Sequence, residues 1–201
     1  DNILFACDFC GSHLATSDLF VEDENEVYQA AKRYYAEIMM PFRKVIKSNL
    51  VKVNNYDIDI IAPSHGPIYD EPELILDAYE EWTSDEVKPE VVVPDVSMHG
   101  STEDMINYFV ERLIEKGIKV KPFNMAKMDL GELAIALVDT STIVLGSPTV
   151  LTGPHPLAVY VTYLANALRP KANYASIIGS YGWAGNMVDD VVGMLDKLDV
   201  E

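Results

Sequence analysis

"VVVPDVSMHGSTEDMINYFVERLIEKG", residues 91–117, joins a run of strand-forming valines to a helical pattern through a short loop of hydroxyl residues and one glycine. The apolar run is continuous rather than alternating, the pattern of a strand buried on both faces. Strand, loop, helix is the repeating unit of a parallel α/β sheet, and the pattern recurs downstream. "IKVKPFNM" (118–125), "STIVLGS" (141–147) and "YASIIGS" (174–180) read as strands. "LGELAIALVDT" (130–140), "PLAVYVTYLANAL" (156–168) and "NMVDDVVGMLDKL" (186–198) read as helices between and after them. Four such units fill the second half of the chain, which stops where a fifth strand would begin.

The first half has a different rhythm. "NILFAC" (2–7) predicts a strand ending at Asp8, and Asp23 with Glu26 forms a capping box at the head of a long helical pattern. Pro41 should kink or divide that helix, because proline lacks the N–H and crowds the preceding turn. A second strand, Ile58 to Ala62, stops at Pro63-Ser64-His65-Gly66, and "PELILDAYEEW" (72–82) predicts a short amphipathic helix. "TSDEVKPE" (83–90) is charged, contains proline and has no apolar period, which places a boundary there. Two domains follow, residues 1–88 and 89–201.

The formal net charge is -17, with most of the acidic excess in the first ninety residues. A chain so acidic has little means of neutralising a phosphate backbone, so DNA and RNA are excluded as partners. No apolar run approaches the roughly 20 residues that span a bilayer, so no membrane segment is expected. Two cysteines make no disulfide framework, and with eight methionines and no signal peptide they suggest a reducing cytoplasm.

"SMHGSTEDM" (97–105) follows a buried strand directly and opens a helix. The free N–H groups of a helix N-terminus, with Ser97, Ser101 and Thr102 hydroxyls and a flexible Gly100, make an anion cradle that needs no lysine or arginine. The simpler alternative is that Ser101 only caps the helix, with Asp104 completing the box. "GSPTVLTGPHP" (146–156) and "GSYGWAGN" (179–186) follow the third and fourth strands at the same sheet edge, where open α/β folds bind ligands. Their backbone groups, with Tyr181 and Trp183, suit a flat heteroaromatic ring, although glycine-rich loops also simply turn corners. Phosphate at one loop and a ring at the other two describe a mononucleotide such as FMN. No G-x-G-x-x-G and no P-loop is present, and Gly146-Ser147 stands where a phosphoacceptor domain would need aspartate.

Asp8 and His65 each follow an apolar strand beside a small polar turn, which suits ligands of Fe, Zn or Mn; equally, each could be an ordinary strand-end turn residue. Cys7 and Cys10 have C-x-x-C spacing, but a redox pair needs a helix N-terminus at the first cysteine, and a zinc knuckle needs a second pair. Neither is present, and both cysteines are expected to be dispensable for metal binding and turnover.

Taken in order, "LFACDFCGSH", "AAKRYYAEIMMPF", "IDIIAPSHGPIY", "SMHGSTEDM", "GSPTVLTGPHP", "LRPK" and "GSYGWAG" resemble the flavodiiron proteins, which fuse a metallo-β-lactamase-like αββα diiron domain to a flavodoxin-like FMN domain. The resemblance spans essentially the whole chain and lies nearest to methanogen and anaerobe members, some of which oxidise reduced coenzyme F420. It implies the C-terminal part of the diiron domain in 1–88, and in 89–201 a doubly wound sheet of order 2-1-3-4 whose fifth strand is missing. It implies that Asp8 bridges two non-haem irons, that His65 is the last histidine ligand, and that the remaining ligands, in an H-x-E-x-D-H cluster, lie upstream of residue 1. His13 matches a histidine near the irons that is not a ligand. Ser97, Met98, His99, Gly100, Ser101 and Thr102 match the FMN phosphate loop. Ser147, Pro148, Thr149 and Val150, with Ser180, Tyr181, Gly182, Trp183 and Ala184, match the loops around the flavin ring.

The implied activity passes electrons from FMN to the diiron site to reduce O2 to water or NO to N2O, in a head-to-tail homodimer or dimer of dimers. Rubredoxin or reduced coenzyme F420 would be the donor. The chain is expected to be an internal portion, inactive alone. The alternative is a flavodoxin-like FMN-binding electron carrier without a working metal site.

Overall fold

The computed structural model describes residues 2–181 and 185–201. They form two compact units, residues 1–86 and 87–201.

In the first unit, β1 (Ile3–Cys7) and β2 (Ile60–Pro63) pair in parallel, with Ile3 opposite Ile60 and Cys7 opposite Pro63. Parallel pairing brings both strands to an end at one edge, so the residues after Cys7 and after Pro63 emerge together. Helix α1 (Glu24–Tyr34) begins as its capping residues dictate, the Asp23 carboxylate accepting from the Glu26 N–H at 3.0 Å. The helical path does not break at Pro41. It loosens into a π turn over Tyr35–Met39, tightens into a 3-10 turn over Met40–Phe42 and continues as α2 (Arg43–Val53). The missing proline N–H is absorbed by altered turn pitch rather than by a gap in the helix. Helix α3 (Glu73–Thr83) supplies Tyr79 and Trp82 to a wholly buried aromatic core with Tyr35. The rings meet at centroid distances of 5.3–5.4 Å, and the Trp82 indole N–H donates to the Tyr28 hydroxyl. Large rings with a polar tip are stable inside when that tip finds a partner.

In the second unit, β3 (Lys88–Asp95), β4 (Lys119–Asn124), β5 (Thr140–Gly146) and β8 (Tyr174–Ile178) form one parallel sheet in the order β4-β3-β5-β8, the 2-1-3-4 order that the resemblance implies. From Glu90 onward every β3 residue is buried, as a central strand covered on both faces requires. Helix α4 (Ser101–Glu115) lays Ile106, Phe109, Val110 and Leu113 against Val91, Val93 and Val144. Helices α5 (Leu130–Leu137) and α6 (Pro156–Leu168) pack against each other.

Two details depart from the sequence reading. The third-strand loop contains a small antiparallel hairpin, β6 (Thr149–Val150) with β7 (Gly153–Pro154), too short for its pattern to register in sequence. The last helix, α7 (Met187–Gly193), ends five residues before the expected Leu198, since Gly193 stops it and Met194–Leu198 fold into turns. The chain then reaches the outer side of β8, where Glu201 donates to the Asn173 carbonyl and accepts from the Ala175 N–H. That pair of bonds is the pattern of a parallel neighbour.

The amino-terminal end of the sheet carries buried charge. Glu90 accepts from Lys119 at 2.6 Å and pairs with Lys121 at 2.5 Å, while Asp139 pairs with Lys88 at 3.4 Å and Lys171 at 3.5 Å. Among the described residues, no helix is long and apolar enough to cross a membrane.

Candidate functional site

The loops after β3, β5 and β8 meet at the carboxyl edge of the second unit and enclose a cavity of about 460 Å³. Met98, His99, Ser101 and Thr102 line it from the first loop, Pro148, Thr149, Val150 and Leu151 from the second, Ser180 and Tyr181 from the third. Gly100 precedes α4 with φ of 89°, a conformation costly for any residue with a Cβ, and thereby turns the helix N-terminus toward the cavity.

The loops are laced together. Thr102, fully buried, shares a hydrogen bond of 3.3 Å with Ser180, and the Thr149 N–H donates to the Ser180 carbonyl. The Asn186 N–H donates to the Thr152 carbonyl, tying the hairpin to the start of α7. Gly179 lies so close to the Ser147 carbonyl that no Cβ fits there.

Not every residue of these loops faces the cavity. The Ser97 hydroxyl accepts from the Gly100 N–H at 3.1 Å and shapes the turn from inside. Ser147 is fully buried; its hydroxyl donates to the Pro148 carbonyl and accepts from the His155 N–H. Gly182, Trp183 and Ala184 lie outside the described residues. Leu151, which sequence reasoning passed over, is 96% exposed at the hairpin tip, where it and Thr152 both have positive φ. Two-residue hairpins demand that backbone, and asparagine or glycine usually supply it; with leucine and threonine the local sequence gives no signal.

In the first unit, Asp8 and His65 emerge side by side from the paired strand ends. His65 Nε2 lies 3.2 Å from Asp8 Oδ1, and both side chains are substantially exposed. Hydrogen bonds from the Ser64 N–H to the Cys7 carbonyl and from the Ser12 N–H to the His65 carbonyl fix the two loops. Gly66 has φ of 86°, and a Cβ there would run into Ser12. The rings of His13 and Tyr34 stand 5.8 and 5.9 Å from that of His65. Tyr34 was not singled out in the sequence; burial, with Asp8 and Cys7 nearby, raises its phenol above the usual range. Among the described residues no three His, Cys, Asp or Glu side chains gather as a metal site. A carboxylate and an imidazole in contact on one rim fit a pair of ligands within a larger set.

The cysteines diverge. Cys7 is exposed, whereas Cys10 is fully buried and its thiol is pushed up strongly by that burial, the opposite of what an attacking thiolate needs. Cys10 is thus a core residue, and dispensability can extend only to chemistry, not to packing.

An α/β unit whose two parallel strands carry a carboxylate and an imidazole, and a doubly wound unit with a three-loop cavity, define a β-lactamase-like and flavodoxin-like pair. Residues 1–66 match the family described as ODP family beta lactamase. An uncharacterised protein of Methanocaldococcus jannaschii is 33% identical over 91% of this chain and 47% of its own length. A nitric oxide reductase of Moorella thermoacetica is 32% identical with the same coverage. The crystal structure of the flavodiiron protein from Giardia intestinalis superposes with a TM-score of 0.89 at 25% identity, over 99% of this chain and 51% of that one. The chain is thus similar to a nitric oxide reductase and to a flavodiiron protein, and it spans about half the length of the relatives it matches.

Proposed function

We propose that this chain is the flavin-binding and partial metal-binding portion of an oxidoreductase that reduces nitric oxide or dioxygen. In this reading residues 1–88 belong to a diiron domain and 89–201 to an FMN domain. The observation that carries it is the three-loop cavity, lined by hydroxyl residues from the start of a helix and by Tyr181, with no lysine or arginine lining it among the described residues.

The residues fit the group. The α4 N-terminus with Ser101 and Thr102 would hold the phosphate, its partial positive charge replacing basic side chains. Gly179, packed against the Ser147 carbonyl without room for a Cβ, lets the third loop close onto the second, and Tyr181 offers a stacking face. Bound there, FMN supplies single-electron transfer, and the iron pair held in part by Asp8 and His65 supplies binding and reduction of the small gas. The protein's own work is to hold Asp8 beside His65, to fix His65 by its backbone through Ser12, and to place the Tyr34 and His13 rings near it. Rubredoxin or reduced coenzyme F420 is the proposed electron donor, and a head-to-tail homodimer or dimer of dimers the proposed assembly.

The test is gas consumption by the full-length protein loaded with FMN and iron under a reductant. Uptake of NO or O2 above that of the iron-free protein is expected. If neither gas is consumed while FMN binds, the chain is an electron carrier instead.

A further inference from the structure

Asp95 ends β3, directly before the loop that carries Ser97 to Thr102. It is 9% exposed, and its carboxylate has no hydrogen-bond or ion-pair partner among the described residues. Its Cβ stands against Gly146, its neighbour on β5, on the same side as Ile106 of α4. The carboxylate therefore sits on the α4 side of the sheet, near the base of the helix whose N-terminus opens the cavity. Its neighbours on the flanking strands, Gly146 and Asn124, are uncharged. From α4 itself Glu103 acts on it, and the one titratable side chain of the preceding loop, His99, lines the cavity. Burial, and secondarily Glu103, raise the Asp95 carboxyl above the usual range.

A phosphate at that helix end would bring further negative charge to a turn already holding Asp95 and Glu103. Like charges at close range disfavour joint ionisation, so one group gives way by taking a proton. Of the two carboxyls, the buried and unpartnered Asp95 is the one poised to do so.

We propose that Asp95 is a proton-linked positioning residue of the phosphate cradle: occupation by a phosphate dianion draws one solvent proton onto the Asp95 carboxyl, and ionisation of Asp95 weakens phosphate binding. This rests on the reading that the cavity takes FMN. The linkage is reciprocal, since whatever the phosphate does to the Asp95 proton, that proton does to phosphate affinity. No covalent bond changes and no redox partner is needed; the only transfer is one proton from solvent.

The experiment is FMN titration of the full-length protein by flavin fluorescence across acidic to alkaline pH, in the wild type and Asp95→Asn, with riboflavin as the ligand that lacks phosphate. Wild-type affinity for FMN is expected to fall with rising pH by about tenfold more than that of Asp95→Asn, which binds FMN more tightly at alkaline pH. Calorimetry in buffers of different ionisation enthalpy should show greater proton uptake by the wild type. Riboflavin should show neither difference. Parallel pH profiles for FMN in the two proteins, or the same gain with riboflavin, would overturn the proposal and reduce Asp95 to a packing role. Absence of FMN binding by both proteins at every pH would instead overturn the flavin reading on which it rests.

Discussion

Nε2 of His65 stands 3.2 Å from Oδ1 of Asp8, across the ends of two parallel strands that pair Cys7 with Pro63. Neither side chain is buried enough for this contact to add much stability as an ion pair. If both are iron ligands, Asp8→Ala and His65→Ala in the full-length protein bring iron content to background after anaerobic reconstitution, while far-UV circular dichroism and FMN absorbance persist. Iron retained in both variants would remove them from the metal site.

Gly66 carries a prediction independent of metal. Its φ of 86° and the lack of room beside Ser12 mean that Gly66→Ala imposes both backbone strain and a steric clash. A loss of at least about 1–2 kcal/mol is expected, read as a lower denaturation midpoint.

The two cysteines should separate in stability. Cys10→Ser places a hydroxyl in the fully buried core and should cost about 1–3 kcal/mol. Cys7→Ser, at an exposed position, should change stability by no more than about 0.5 kcal/mol. Iron content should survive both changes. Metal loss on Cys10→Ser equal to that on Asp8→Ala would restore a role for sulfur.

Glu90 sets a pH dependence. Burial alone would raise its carboxyl, but the hydrogen bond from Lys119 and the ion pair with Lys121 more than offset this and hold it below the usual range. Stability from an acid lowered in the folded state is fully present above its unfolded pKa and is lost as pH falls through the lower folded value. Glu90→Gln should therefore lower the unfolding midpoint at neutral pH, and its deficit should shrink below about pH 4. A deficit unchanged by acid would mean that the charge on Glu90 contributes nothing.

Thr102 and Ser180 join the first and third loops by a side-chain hydrogen bond. Thr102→Val keeps the shape and removes the tie. FMN affinity should fall by roughly 3- to 10-fold, measured by fluorescence quenching, with little change in thermal stability.

The alternating units after residue 90 were legible because buried parallel strands write continuous apolar runs, and their glycine and hydroxyl loops mark one sheet edge. Asp23 likewise declared the start of α1. Pro41 was legible as a perturbation but not in its outcome, since the pitch a helix adopts around proline depends on the tertiary contacts of Tyr35 and Met40. The Thr149–Pro154 hairpin was invisible, because Leu151 and Thr152 are poor residues for the backbone they adopt. Tyr34 beside His65, and the burial of Cys10, follow only from how distant segments pack. The lack of a partner for the Asp95 carboxylate likewise appears only in three dimensions.

The most direct test of the account is whether the three-loop cavity recognises a flavin through its phosphate. Titrating the full-length protein with FMN and with riboflavin, followed by flavin fluorescence, should give one FMN per chain, bound at least about tenfold more tightly than riboflavin. No quenching by FMN, or equal affinity for the two flavins, would contradict it.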